Sequence, residues 1–146
     1  MNDQAARKLA EMKWKFADYD PGAVEKMRRR IADKGRTKDE CLRYSELVDG
    51  VEFCLPNVNK GEPFQITEWN SLQRAIIGDF LGKIAADSYQ YGGFLASALV
   101  VSAEDMQPGS GLFALAKQVG LPFGDKDEFW VSHVNLARAW YSSHPE

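Results

Sequence analysis

The chain has 146 residues, 45% hydrophobic and 12% aromatic, which is the length of one ordinary domain with enough apolar material for a sizeable core. Its formal charge is −3, no apolar run approaches the roughly 20 residues that cross a bilayer, and Met1-Asn2-Asp3-Gln4 lacks the order of a secretory signal. A cytoplasmic protein with no membrane partner is expected. Cys41 and Cys54 have no Cys-x-x-Cys spacing, and two thiols do not make a disulfide scaffold, so both are read as reduced.

Ala5, Leu9, Met12 and Phe16 recur at helical spacing and predict a first helix, broken by Asp18-Tyr19-Asp20-Pro21-Gly22. Asp20 caps a second helix with Pro21 in its first turn, Val24, Met27 and Ile31 as its apolar stripe and Gly35 at its end. Thr37-Lys38-Asp39-Glu40 reads as a capping box opening a short third helix through Leu42, Tyr44, Leu47 and Val48. Val51 to Leu55 alternates, a polar stretch follows from Pro56 to Pro63, and then comes Phe64-Gln65-Ile66, together a loose hairpin or extended loop.

Thr67 is read as the cap of the longest helix, about residues 68–90, apolar on most of its circumference and therefore central. Gly78 and Gly82 leave one face of it open to a neighbouring backbone. The continuous apolar run 94–101 reads as a buried strand. Gly109-Ser110-Gly111 opens an amphipathic helix ending at Gly120, and a last helix runs from about Asp127 to Ser142, with His133 on a stripe with Phe129, Leu136 and Trp140. The fold class expected is mainly α with a small β element, a compact single domain over 1–146. Residues 1–36 form a helical pair, and residues 37–146 a winged-helix-like core with C-terminal helices.

Charge is segregated along this chain. Residues 26–38 carry seven basic side chains and one acid, Asp33, for a local charge of +6, against −1 before them and −8 after. Lys26, Arg30 and Lys34 recur every four residues with Arg29 beside them, and Arg36 and Lys38 follow. Such a patch can hold phosphate or an acidic partner although the whole molecule is acidic. Its bland reading is a solvated helix face neutralised by ion pairs of little energetic value.

Gly109, Ser110 and Gly111 follow the expected strand and open a helix, the layout that offers N–H groups to an anion. No P-loop Lys-Ser/Thr follows, and Pro108 stands where a nucleophile elbow needs glycine, so a turn with Ser110 as N-cap is the favoured reading. Asp79 is read as the ion-pair partner of Lys83, and His133 as a hydrogen-bonded core histidine. Cys41, Cys54, His133 and His144 have no zinc spacing, so no metal or cofactor is expected.

Tyr44-Ser45-Glu46-Leu47, residues 76–84, residues 95–101, Pro108-Gly109-Ser110-Gly111-Leu112-Phe113, and Phe129-Trp130 with Trp140 together resemble a recurring type of uncharacterised small bacterial protein. The resemblance implies a winged-helix-like core and no activity. The Tyr-x-Glu-Leu opening is also similar to the winged-helix part of alkyltransferase-like DNA-repair proteins, whose Pro-Cys-His-Arg motif is absent. A winged helix reads DNA with its second helix, yet the central helix here offers few polar groups beyond Gln73, Arg74, Asp79, Lys83, Asp87 and Gln90.

The reading that follows is a non-catalytic binding module presenting Lys26, Arg29, Arg30, Lys34, Arg36 and Lys38 to nucleic acid or to an acidic protein surface. The alternatives are a hydrolase-type enzyme near Ser110, using Asp79 or His133, and a structural subunit using exposed aromatics such as Trp14, Phe16 and Tyr19.

Overall fold

In a computed structural model, which describes residues 1–145, the first two helices begin where a side chain accepts a free first-turn N–H. Residue 146 of the expected domain lies outside them. Helix α1 (Asp3–Glu11) is capped by Asn2, whose side chain accepts from Ala5 N at 3.0 Å. It ends earlier than the spacing of Phe16 suggests, because the N–H groups beyond it are taken by carboxylates. Asp18 accepts from Trp14 N at 2.8 Å, and Asp79 accepts from Lys15, Phe16 and Ala17 N at 3.1, 2.8 and 2.8 Å. This chain of acceptors bends residues 12–19 into a turn that lays Trp14 on Gly82. Gly82 thus receives an indole rather than a neighbouring backbone, and Gly78 faces open space. Asp79 makes no pair with Lys83, whose Nζ instead lies 3.2 Å from Asp87.

Helix α2 (Pro21–Gly35) has the boundaries its sequence announces: Asp20 accepts from Ala23 N, and Ala23, Met27 and Ile31 are buried. The second oxygen of Asp20 accepts from Cys54 N at 2.8 Å, tying the 51–55 segment to the start of α2. Thr37 accepts from Glu40 N at 3.2 Å, which is half of a capping box, but no helix follows there. The chain instead forms strand β1 (Leu42–Arg43) and then the short helix α3 (Tyr44–Val48), opened by Glu46 accepting from Arg43 N. Phe53 and Phe64 exchange two backbone hydrogen bonds at 2.8 and 2.9 Å, so the expected loose hairpin is a single antiparallel bridge closing a long loop.

Helix α4 (Ser71–Gly92) is the axis of the core, burying Ile76, Ile77, Phe80, Leu81, Ile84, Ala85, Ala86, Ser88 and Tyr89. It starts later than the sequence suggests. Asn70, not Thr67, is its cap, and Trp69 before it has a φ of 53° held by Gln73, which accepts from Glu68 and Trp69 N. After α4 the expected strand is mostly absent. Residues Ala96–Leu99 form a 3-10 turn, and only strand β2 (Val100–Val101) pairs, in parallel with β1. Helices α5 (Ser110–Gln118) and α6 (Lys126–Ser143) complete the chain. The protein is a mainly helical, compact single domain with a two-strand parallel sheet. The structure does not confirm a winged helix: the paired strands are parallel and two residues long, and α4, the candidate reader, is core.

Residues 94–101 are buried throughout and only Val100 and Val101 lie in the sheet, so the backbone groups of residues 94–99 need other partners. The 3-10 turn pairs some of them locally, Ala98 N with Leu95 O at 3.0 Å, and side chains of α4 and α6 provide others. Ser88 Oγ donates to Phe94 O at 2.8 Å and accepts from Ala96 N at 2.9 Å; His133 Nδ1 accepts from Leu95 N at 2.9 Å; Trp130 Nε1 donates to Ala98 O at 2.8 Å. Burying a side chain such as Phe94 gains about 2 kcal/mol, and one unpaired buried backbone group costs about 1–3, so the segment is stable inside only with these partners.

Two stability predictions follow from this arrangement. Replacing Ser88 by Ala strips partners from Phe94 O and Ala96 N and should lower unfolding free energy by about 2 kcal/mol in urea titration. Burial holds the His133 pKa down to about 4 from 6.5, so between these values the unfolded chain binds the proton and the folded one does not. Stability is therefore full above about pH 6.5 and falls towards pH 4, by an amount of the order of 3 kcal/mol. His133→Asn keeps an acceptor that does not titrate, and its urea midpoint should fall less over that range than that of the wild type.

Candidate nucleic-acid interface

Helix α2 turns its apolar stripe inward, which sends Lys26 and Arg29 to solvent and leaves Arg28, Arg30, Lys34 and Arg36 along the edges of its exposed face. The edge arginines are used by the fold. Arg30 Nη1 donates to Glu46 O and Leu47 O at 3.0 and 3.2 Å, covering the last carbonyls of α3. Arg36 donates to Tyr141 O and His144 O, both at 3.2 Å, at the end of α6, and to Asp33 at 3.0 Å. A cation at a helix C-terminus satisfies orphan carbonyls and meets the negative end of the dipole.

The outward cations are differently placed. Glu25 lies 2.7 Å from Arg28 and 3.0 Å from Arg29, and the Arg28 hydrogen bond, with Arg29, brings its pKa to about 2 against the opposing effect of burial. The Arg29 side chain stays 65% exposed despite that pair. Lys26 and Lys38 are exposed and Lys34 is half-buried; among the described residues none of the three has a hydrogen-bond or ion-pair partner for its ammonium.

Arg138 was not singled out by sequence reasoning, and it is the counterpart of Arg30 and Arg36. From α6 it donates to Lys34 O and Thr37 O at 3.2 Å each and to Glu40 O at 2.7 Å, finishing α2 and holding the turn after it. The one available signal was the absence of any acid three or four residues away along its helix. The half-buried Cys41 thiol lies 3.8 Å from the same guanidinium, and burial raises its pKa although Arg138 opposes this. Both cysteines are free thiols.

The other candidates are dispersed. Gly109, not Ser110, is the N-cap of α5; Ser110 is its first residue, exposed, with no hydrogen-bond partner for its hydroxyl among the described residues. The Tyr44 hydroxyl stands against Gly109, and the Gly109 N–H opposes the rise that burial imposes on its pKa. Gly111 is exposed and faces open space. Asp79 is engaged at residues 15–17 and His133 at Leu95, so neither hydrogen-bonds to Ser110. Of the aromatics expected at the surface, Trp14 is buried and Phe16 half-buried, and only Tyr19 is well exposed.

Two surface grooves, of about 660 and 290 Å³, lie on α6 around Val131 and between residues 58–70 and α4; neither is lined by α2. Among the described residues no group of His, Cys, Asp and Glu could hold a metal ion, and no helix is long and apolar enough to cross a membrane. Comparison with protein-family models, with curated proteins and with solved structures returns no match to this chain.

The division of labour among the arginines is testable by charge reversal. Arg30→Glu puts a carboxylate against the carbonyls of Glu46 and Leu47 and should cost about 2 kcal/mol or more of stability. Arg29→Glu, at an exposed pair, should stay within about 0.5 kcal/mol of wild type in the same urea titration.

Proposed function

We propose that the protein is a non-catalytic binding module whose α2 face contacts the phosphates of a nucleic acid. The observation that supports this reading is the set Lys26, Arg29, Lys34 and Lys38. Three ammonium groups have no partner among the described residues and the guanidinium is mostly exposed, while the acids of α2 itself, Glu25 and Asp33, are paired with arginines. Charge that the fold does not use is available to displace counterions from a polyanion. Arg30 and Arg36 take the supporting part, fixing α2 against α3 and α6 so that the outward cations keep their spacing.

An acidic protein surface presents the same sign of charge without the regular phosphate spacing, and salt dependence with nucleic acid separates the two. Four phosphate contacts give a slope of log affinity against log salt of about −3. Fluorescence anisotropy with labelled random-sequence nucleic acid should show that slope, and Lys26→Glu with Arg29→Glu should abolish binding while leaving the melting temperature unchanged. Undiminished binding by that double variant removes α2 from the interface; no binding by the wild type at low salt turns the search to an acidic protein.

A further inference from the structure

Beside the basic helix lies a cluster of rings with an exposed edge. Arg36 joins α2 to the end of α6, where Trp140 and His144 stack with centroids 3.6 Å apart and planes 11° from parallel. His144 is exposed and fixed in that position by its Nδ1, 2.8 Å from Trp140 O. Tyr91, 38% exposed at the end of α4, lies 5.3 Å from the Trp140 ring, and its hydroxyl is 3.1 Å from that of Tyr141. Gly35, at the end of α2, lies against the Tyr141 ring, so α2 borders the same cluster.

Among the described residues, three acids near this surface are matched. Glu25 is held by Arg28 and Arg29, Asp33 by Arg36, and Asp87, beside Tyr91, by Lys83 at 3.2 Å. Lys26 has no pair among the described residues, and Arg29, which shares Glu25 with Arg28, keeps a mostly exposed guanidinium. A duplex hides the faces of its bases and offers phosphates alone, whereas a single strand offers both phosphates and bare π-faces. Cations along a backbone track with stacked rings at its side are the chemistry that recognises the second.

Resting on the reading of α2 as a phosphate contact, we infer that the ligand is single-stranded nucleic acid, with its backbone on Lys26 and Arg29 and a base stacking on the outer face of His144 in line with Trp140. The ring plane is pre-organised by the Trp140 stack and the Nδ1 contact, so a base that adds to it continues an existing column. Stacking asks only for a flat ring and imposes little sequence preference.

The test uses the full chain with a labelled oligothymidylate of about ten nucleotides and a duplex of equal length. The single strand should bind at least about tenfold more tightly and quench tryptophan fluorescence. His144→Ala should lower single-strand affinity by about tenfold, leave duplex affinity unchanged, and be rescued by His144→Phe, which restores a stacking plane. Equal affinity for strand and duplex, or wild-type single-strand affinity in His144→Ala, overturns the inference. If that happens while Lys26→Glu with Arg29→Glu still abolishes binding, the α2 interface stands and only the single-strand assignment falls. If the double variant binds as the wild type does, both fall.

Discussion

The fold depends on keeping the backbone of residues 94–99 paired in the interior without a sheet. This segment is buried between α4, α6 and α2, and each of its neighbours is a helix whose own backbone is already satisfied internally. Beyond the local bonds of its own 3-10 turn, such as Ala98 N to Leu95 O at 3.0 Å, side chains serve it. That requirement explains the polar residues of the core: Ser88 with both a donor and an acceptor role, His133 held neutral with Nδ1 as acceptor, and Trp130 donating from its ring edge. Because these bonds come from two different helices, they also fix the spacing of α4 and α6 about the segment. Packing around Phe94, Leu95 and Leu99 then follows from a backbone position that polar geometry has set.

A second principle runs through the surface: charged side chains are spent on backbone groups at the ends of elements more than on one another. Arg30, Arg36 and Arg138 finish α3, α6 and α2, and Asp20 and Asp79 collect the N–H groups of α2's first turn, of Cys54 and of residues 15–17. Exposed ion pairs contribute little, whereas a charge-assisted bond to an otherwise orphaned backbone group contributes more. The concentration of basic residues between 26 and 38 therefore has two parts. One part is architectural, and the remainder, Lys26, Arg29, Lys34 and Lys38, carries charge that folding does not consume.

What could be read from the sequence follows this distinction between local and distant partners. The limits of α2 were legible because Asp20, Pro21 and Gly35 act within one turn of themselves, and His133 was legible as a core histidine from its place on an apolar stripe. A continuous apolar stretch such as 94–101 specifies burial and not conformation, so only Val100–Val101 form the strand it suggests, and the 3-10 turn before them depends on acceptors at residues 88 and 133. Asp79 was assigned to Lys83 by helical spacing, while its real partners are backbone groups more than sixty residues earlier. Of the candidate interface, the cations themselves are visible in the sequence. Which of them the fold would occupy is not, since that depends on where α3 and α6 end in space.

The contact of Arg138 with Lys34, Thr37 and Glu40 spans about a hundred positions of chain, from the last helix to the second. A helical protein ordinarily folds fast because its contacts are local, but these bonds close a loop of about a hundred residues. During synthesis, the carbonyls at the end of α2 lack this cover until α6 has been made. The surface that carries the cations is thus completed by a residue far along the chain rather than by its own neighbours.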